Sequence, residues 1–337
     1  MLRRFVSFLL LLAIAAALFV LLSPQTLGLQ RHDYIAQVIA FRGVLLVAAV
    51  VVAIVFLFAG IVIRPLRRFL AAAAVLLIVF AVVTGGVLFE RGLGGATFAT
   101  KQSGDLTVLS WNTRGGAPGA PRIAALALSV HADVVSLPET RNAVAEQVAA
   151  IMKRSGSTMS VLTLAYDQVS SAHSTSLLIS SRLGGYSMST DATTTRILPT
   201  VVATPRDGRG PVFIAAHAVA PEPHYLDDWR TDLDYLARLC SGDDVIMAGD
   251  FNSTIDHQAG LGVRSATLGD CHDAALATGN AAVGTWPTSV PPLLATPIDH
   301  VMTTSDWKVS GMRVITTEDK AGSDHRPIVA QLTPKTS

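Results

Sequence analysis

Acidic residues are almost absent from the first part of the chain, where Asp33 is the only acid among residues 1–89. Three stretches there, of 18, 20 and 21 residues, carry no charge at all: Phe5–Leu22, Val44–Ile63 and Phe69–Phe89. Each is long enough to cross a hydrocarbon core about 30 Å thick at roughly 1.5 Å per residue. A buried core helix is the alternative for a single run, but three in succession predict three transmembrane helices.

A small-x-small cleavage site is also absent after Leu22. The first run is therefore predicted to remain as a helix, although the arginines before it also resemble those of a signal peptide. Arginines are dense before the first run and between the second and third, and sparse between the first and second. Because positive flanks stay in the cytoplasm, we expect a multi-pass cell-membrane protein. Its N-terminus is predicted to be cytoplasmic, and everything beyond Phe89 extracytoplasmic.

A basic excess is missing from the remainder of the chain. Nineteen of the 26 Lys and Arg, but 24 of the 25 Asp and Glu, lie beyond residue 89, which gives that part a formal charge of −5. Proteins that grip long nucleic acids usually present a basic surface, because phosphate neutralisation dominates their affinity. The charge argues against a dedicated nucleic-acid binder, but it leaves room for a local basic groove.

Cysteine is scarce, with only Cys240 and Cys271 in the whole chain. Both lie in the part predicted to face an oxidising compartment, where a disulfide is allowed. Two buried free thiols are the alternative, and the sequence leaves both open. The pair Cys271-His272 lacks the partners that a zinc site needs.

Internal repeats are absent too, and the chain divides by composition. We expect a membrane anchor over residues 1–89, with helices at about 5–22, 44–63 and 69–89. A Gly-rich tether would follow over 90–104, and a single domain over 105–337. In that domain strand-like apolar runs alternate with helical patterns, as in strand Leu106–Ser110, helix Arg122–Val130, strand Val134–Leu137 and helix Arg141–Arg154. This alternation is typical of an α/β domain.

Polar residues that a core would not select follow several of the predicted strands. They are Asn112, Glu139, His217, Asp250, Asn252, Asp299, Asp324 and His325. Each has a structural alternative: a turn cap for Asn112, a helix cap for Glu139, a core histidine for His217, and ordinary loop acids for the last two aspartates. Open α/β sheets place their chemistry at the carboxyl ends of strands. In the run Gly249-Asp250-Phe251-Asn252, the acid and the amide are two apart and point to the same side.

In order and spacing, five motifs resemble the endonuclease/exonuclease/phosphatase superfamily, which has the deoxyribonuclease I-like fold. The motifs are Leu109-Ser110-Trp111-Asn112, Leu137-Pro138-Glu139, Gly249-Asp250-Phe251-Asn252, Ile298-Asp299-His300 and Ser323-Asp324-His325-Arg326-Pro327. The resemblance extends over about Leu106–Leu332. It implies a four-layer α/β sandwich, with two packed mixed β-sheets flanked by helices, after the three transmembrane helices. Pro138 is a departure, because many members have Gln before the metal-binding Glu.

The resemblance also implies a site and a reaction. The metal ligands would be Asn112, Glu139 and Asp324, holding Mg²⁺ or alternatively Mn²⁺. Catalytic roles would fall to His217, Asp250, Asn252, Asp299 and His325. Asp299 would orient His325, Asp250 and Asn252 would position the attacking water and the phosphate, and the reaction would be metal-assisted hydrolysis of a P–O ester bond. His300 is expected to face away from this site, and Arg182 and Arg326 to anchor loops.

The substrate stays open between two classes. A nuclease is consistent with the complete set of motifs, whereas a lipid or small-molecule phosphodiesterase is consistent with a membrane anchor and an acidic domain. An inactive domain serving as a receptor or scaffold is a third alternative. The expected partners are a phosphoester substrate, namely nucleic acid or a lipid head group, and the membrane itself; no protein partner is predicted.

Overall fold

A computed structural model describes residues 1–95, 97–167, 170–189 and 194–335. The chain forms two compact units, Met1–Arg91 and Gly92–Ser337. Ala96 of the predicted tether and the last two residues of the predicted domain lie outside the described residues. On either side of Ala96, the tether is hydrogen-bonded within the second unit: Gly94 N donates to Gly279 O (3.1 Å) and Ala99 N to Ser310 O (2.9 Å).

The first unit is helical. Its helices are α1 (Leu2–Leu22), α2 (Ile35–Ile39), α3 (Arg42–Val62) and α4 (Arg67–Arg91). Three spans, Leu2–Leu22, Arg42–Val62 and Arg64–Arg91, are long and apolar enough to cross a membrane. Small residues such as Ala49, Ala53 and Ala81 are buried between the helices, as expected where helices associate through close backbone approach rather than through hydrophobic burial.

The second unit alternates strands and helices. In chain order they are β1 (Leu106–Ser110), α5 (Ala120–Ser129), β2 (Val134–Pro138), α6 (Asn142–Arg154), β3 (Met159–Ala165), β4 (Ser174–Ser180), β5 (Tyr186–Met188), β6 (Val201–Pro205), β7 (Val212–His217), α7 (Leu226–Leu239), β8 (Val245–Asp250), α8 (Ile255–Gln258), β9 (His272–Asp273), α9 (Ala274–Ala277), β10 (Asp299–Thr303), β11 (Trp307–Val314) and β12 (Ile328–Pro334).

These strands make two six-stranded sheets over the described part of the chain. The first has the order β11-β12-β1-β2-β4-β3 and the second β5-β6-β7-β8-β10-β9. Both are mixed, because β1 runs parallel to β2, and β7 to β8, while their other pairs are antiparallel. With helices on the outer faces, this is the α/β sandwich that the sequence motifs predict, and the predicted fold class is confirmed.

Side-chain alternation along the strands builds the layers. Val108 faces the second sheet and shares a core with Phe213 and Ile246, while the next residue, Leu109, packs outward against the α5 and α6 layer. Complete burial of an aliphatic or aromatic side chain of this size contributes about 1.5–3 kcal/mol. Because both faces of the central strands are covered, their registers are fixed, and so are the positions of the residues at their ends.

Cys240 and Cys271 form a disulfide, with Cα atoms 5.8 Å apart. The bond joins the end of α7 to the segment just before β9, and both residues are buried. Of the two alternatives that the sequence leaves open, the structure therefore has the disulfide.

Candidate active site

Three polar residues lie side by side at the ends of three neighbouring strands in the second sheet. His217 ends β7, Asp250 ends β8 and Asp299 begins β10. His217 is paired in register with Asp250, and Asp250 with Asp299. Neighbouring strands are about 4.8 Å apart, so the row brings the three side chains together although they are far apart in sequence. All three are buried, with 0%, 1% and 2% of their surface exposed.

Gly249 makes this row possible. A Cβ atom at this position would lie 1.9 Å from the carbonyl oxygen of Ala216 on the neighbouring strand. Any side chain would therefore push β8 away from β7 and break the pairing that precedes His217 and Asp250. The glycine of the motif is needed for close backbone approach.

The end of β1 positions the loop that carries His325. Trp111, which is fully buried, donates its indole N–H to the carbonyl oxygen of His325 (2.9 Å). Ser323 Oγ donates to the carbonyl oxygen of Asn112 (2.6 Å) and accepts from His325 N–H (3.1 Å). These bonds join the end of the first sheet to the loop before β12, so His325 is brought to the row of the second sheet on a fixed backbone.

His325 lies between two carboxylates. Its Nδ1 is 2.9 Å from Asp299 Oδ2, and its Nε2 is 3.7 Å from Asp250 Oδ2. Burial lowers the pKa of His325, but the charges of Asp299 and Asp250 outweigh it and raise the pKa to about 10. The imidazole is therefore held as an imidazolium that donates from Nδ1 to Asp299.

Asp250 is a carboxyl group that is removed from water, so burial favours its neutral, protonated form. Burial raises its pKa to about 7; the positive charge of His325 opposes the rise and the charge of Asp299 adds to it. A carboxyl group that titrates near neutral pH exchanges protons readily there, which is the property of a general base.

Asn112 links the row to Glu139. Its Nδ2 donates to Glu139 Oε1 and to Asp250 Oδ2, both at 3.0 Å, while its Oδ1 accepts from Arg114 N–H (3.0 Å). A donating amide nitrogen is not a metal ligand. In the predicted role Asn112 would bind through Oδ1, which requires a half-turn of the amide group.

Glu139 and Asp324 lie at the partly exposed side of the site. Asp324 Oδ2 accepts the indole N–H of Trp286 (3.1 Å), and its Oδ1 lies 4.0 Å from Arg114 Nε. Glu139 follows Pro138 directly, and it is Asn112, rather than the residue before it, that donates to its carboxylate.

The donor set fits a hard divalent cation. The ligand-type atoms of Asp250, Asp299 and His325 lie within 4.8 Å of one another; with His325 held as an imidazolium, the two carboxylates are the part of this cluster that could bind a cation. Asp299 Oδ1 is buried and has no hydrogen-bond partner among the described residues, as expected of an oxygen that awaits a cation or water. With Glu139 and Asp324 beside them, these oxygens are the ligands that Mg²⁺ prefers.

His217 is kept neutral. Burial lowers its pKa to about 3, and the positive charge of His325 acts in the same direction. Its Nδ1 lies 3.3 Å from Thr175 Oγ1, and within the described chain its Nε2 has no partner. A neutral imidazole with one free ring nitrogen can hydrogen-bond a ligand that enters the site.

Asn252 is fixed through its backbone and its amide. Its N–H donates to Asp250 Oδ1 (2.9 Å), its Nδ2 donates to Ala218 O (2.9 Å), and its carbonyl oxygen accepts from the indole of Trp229 (3.0 Å). Its φ of 44° is left-handed, as are those of Glu139 (53°) and Arg114 (47°). Such conformations cost about 1–3 kcal/mol each and cluster at functional sites.

His300, which the sequence analysis places outside the reacting groups, stabilises the segments that carry them. It faces away from the site, as expected: its Nδ1 is 2.7 Å from Asp273 Oδ2 and its Nε2 is 2.8 Å from Ser253 O. Both partners are acceptors, so both ring nitrogens must donate. Burial lowers the pKa of His300, but the hydrogen bond and charge of Asp273 outweigh it and raise the pKa. The imidazolium thus ties β10 to the segment after Asn252.

The two arginines anchor loops, as expected. Arg326 is fully buried; it pairs with Asp319 (2.8 Å) and donates to the carbonyl oxygens of Thr288 (3.2 Å) and Val290 (2.7 Å). Arg182 donates to Asp133 (2.8 Å). Trp111 and Ser323 were not singled out by the sequence analysis, although both lie inside its motifs. A large aromatic residue immediately before a site residue is the signal that could have identified Trp111.

Comparison with known proteins agrees with this geometry. The sequence profile of the Endonuclease/Exonuclease/phosphatase family matches residues 109–325. No curated protein sequence matches. Among solved structures, D. rerio TDP2 humanised by 14 mutations is 18% identical, with a TM-score of 0.53 over 68% of this chain and 99% of that one.

Two further structures are similar. The endonuclease/exonuclease/phosphatase from Beutenbergia cavernae is 20% identical, with a TM-score of 0.52 over 68% of this chain and 72% of that one. D. rerio TDP2 complexed with single-strand DNA product is 19% identical, with a TM-score of 0.50 over 68% and 99%. At these identities the likeness shows the fold.

Proposed function

The chain belongs to the endonuclease/exonuclease/phosphatase family, and on that basis we propose that it is a divalent-metal-dependent hydrolase of phosphodiesters. Three N-terminal helices would anchor it in the cell membrane, with the hydrolytic domain on the extracytoplasmic side. One observation carries the proposal: buried His325 is hydrogen-bonded to Asp299 and lies 3.7 Å from Asp250, and Asn112 joins this group to Glu139.

His325 and Asp250 would divide the proton chemistry. Asp250, whose pKa is raised by burial to about 7, would orient the attacking water and accept its proton. The imidazolium of His325 would donate from Nε2 to a phosphate oxygen and offset the negative charge that builds there. Asp299 holds the Nδ1–H of His325, which leaves Nε2 directed at the site.

Asn252 and His217 would bind the substrate. The side chain of Asn252 lies beside Asp250, its backbone fixed by Trp229, and would hold the water and a phosphate oxygen in line. Neutral His217 would hydrogen-bond a second phosphate oxygen or the leaving group. The row of strands sets the distance between these groups, and correct placement of reactants accounts for a large share of catalysis.

Glu139 and Asp324, with Asn112 turned to present Oδ1, would hold the metal, which we propose to be Mg²⁺, with Mn²⁺ as the alternative. When bound, the ion would supply charge stabilisation for the phosphoryl oxygens. The side of the site on which these residues are partly exposed is also where substrate and hydrated ion have access.

A lipid-borne or small phosphodiester is our first candidate substrate. The domain beyond residue 89 carries a charge of −5, which disfavours tracking along a long polyanion, and a membrane anchor keeps the enzyme near lipid head groups. A nuclease remains the second candidate, because the motif set is complete. A receptor without activity would not need the proton-sharing group of Asp250, Asp299 and His325.

A substrate panel tests the proposal. The full chain, purified in detergent, should hydrolyse at least one of plasmid DNA, phospholipid vesicles, inositol phosphates or bis(4-nitrophenyl) phosphate, and only with divalent metal. Absence of turnover on the whole panel would favour the receptor. For the orientation, a reporter that is active only outside the cytoplasm, fused after Ser337, should be active; a cytoplasmic signal would overturn the topology.

A further inference from the structure

A cavity of about 480 Å³ opens beside the metal-binding side of the site. Its walls include Arg114, Thr288, Ser289, Lys320, Ser323 and Asp324. Pockets of 300–1,000 Å³ are typical of small-molecule sites. Since Asp324 is shared between the cavity and the proposed metal site, a substrate at the scissile position would extend directly into it.

The walls of this cavity are rigid. Arg326, buried behind it, holds the carbonyl oxygens of Pro287, Thr288 and Val290 at 2.7–3.3 Å. Thr288 N–H in turn donates to the carbonyl oxygen of Asp324 (2.9 Å). The loop that forms one wall is therefore fixed to the segment that carries the site residues, and the cavity is preformed.

The charges facing the cavity favour an anion. Asp319 is engaged by Arg326 at 2.8 Å, and Asp324 would be neutralised by the metal. Two cations remain: Lys320, which is exposed, and Arg114, whose side chain is 63% exposed with Nε 4.0 Å from Asp324. The hydroxyl group of Ser289 adds a donor of the kind that binds phosphate, whereas that of Thr288 already donates to the carbonyl oxygen of Ser323 (3.3 Å).

We infer that this cavity binds a second phosphate group of the substrate, one that is not hydrolysed, and that Arg114 and Lys320 determine this specificity. The inference rests on the proposed function and narrows it to phosphodiesters that carry an additional phosphate. Such a group occurs in a phosphorylated head group and in the neighbouring unit of a nucleotide chain. The cavity would recognise a phosphate group in both cases, so matched pairs of substrates are needed to distinguish a head group from a nucleotide chain.

The kinetic test uses substrate pairs that differ by one phosphate. One pair is glycerophosphoinositol with and without a 4-phosphate, and the other is thymidylyl-thymidine with and without a 5′-phosphate. With the full chain and Mg²⁺, kcat/KM should be about tenfold higher for the phosphorylated member of at least one pair, since charge-assisted hydrogen bonds differ from neutral ones by about that factor. The pair that shows the preference identifies the source.

In Lys320→Gln, and more so in the double variant with Arg114→Gln, the ratio of the two kcat/KM values should fall toward one. Lys308→Gln is the matched control, because Lys308 is an exposed lysine on β11 and does not line the cavity; its ratio should equal that of the parent. A parent ratio near one for both pairs, or a ratio unchanged in the double variant, would overturn the inference.

A binding measurement keeps the inference independent of turnover. Inorganic phosphate is titrated calorimetrically into the full chain with Mg²⁺ present, and the double variant should bind at least tenfold more weakly than Lys308→Gln. Equal affinities would refute the cavity assignment even if no substrate were hydrolysed. Conversely, hydrolysis of bis(4-nitrophenyl) phosphate without any phosphate preference would refute only this inference, and loss of all turnover with phosphate binding retained would refute only the proposed function.

Discussion

His325 Nδ1 lies 2.9 Å from Asp299 Oδ2, and this bond joins the loop before β12 of the first sheet to the first residue of β10 in the second. The carbonyl oxygen of the same His325 accepts the indole N–H of Trp111 at the end of β1. Hydrogen bonds thus fix both the backbone and the ring of His325. Its orientation relative to Asp250 depends on both sheets being packed together.

Replacing Asp299 tests this bond. In Asp299→Asn the ring of His325 loses the acceptor that fixes its Nδ1–H, and the raised pKa of His325 loses its main support. We expect kcat to fall by about 10²–10⁴, the usual contribution of positioned acid–base groups, with KM changed much less. Asp243→Asn, at an exposed loop acid, is the control. A kcat within a few fold of the parent would remove the pair from the mechanism.

Removing the metal should abolish activity. Chelation is expected to stop hydrolysis, and added Mg²⁺ or Mn²⁺ to restore it. Glu139→Gln should raise the Mg²⁺ concentration needed for half-maximal rate at least tenfold, a typical effect of perturbing a metal site. Glu146→Gln, on the exposed side of α6, should leave the metal titration unchanged. Activity that persists after both chelation and Glu139→Gln would contradict the metal-dependent mechanism.

The neutral state of His217 predicts a pH dependence of stability. Its pKa is lowered from 6.5 to about 3 in the folded protein, so between these values the unfolded chain binds more protons than the folded one. Stability should therefore fall as pH decreases below 6.5, by about 1.4 kcal/mol per pH unit from this group. Thermal unfolding at pH 7.5 and 5.5 measures it. His217→Asn should lose less stability between the two pH values, and an identical loss would show that His217 is not buried neutral.

The buried pair of His300 and Asp273 predicts strong coupling. His300→Gln leaves the Asp273 carboxylate uncompensated in the interior, so the free energy of unfolding should fall by about 3–5 kcal/mol. The double variant with Asp273→Asn removes both charges, while Asn still caps α9 as Asp273 does. It should be more stable than His300→Gln alone. If the effects of the two single substitutions simply add, the pair is not coupled.

Much of the fold and site was predictable from local pattern. Apolar runs that end in Asn112, Glu139 or Asp250 predict polar site residues at strand ends. This prediction is possible because the hydrophobic pattern that identifies a buried strand lies in neighbouring residues. Helix ends were less accurate: α1 begins at Leu2 and α3 at Arg42, since arginines continue a helix without difficulty, whereas the predicted runs were bounded by charge.

The contacts that position the site could not be predicted in this way. The bond from Trp111 to His325 spans 214 residues, and Asn112 reaches Asp250 across 138. No local rule fixes such pairings, because they depend on how two sheets pack. The partners of His300, Asp273 and Ser253, are 27 and 47 residues away, and only the structure shows that this histidine next to Asp299 is a buried imidazolium behind the site.

The pairing of His217, Asp250 and Asp299 on neighbouring strands has a consequence for engineering. Their spacing is the repeat of the sheet itself, whereas the cavity walls belong to loops outside the strands. The spacing of the reacting groups is therefore set by the sheet, whereas the recognition surface is set by loops that meet the site at Asp324. Loop grafts around residues 287–290 and 318–322 should retarget which ester is cleaved, provided that they keep the bond from Thr288 N–H to the carbonyl oxygen of Asp324.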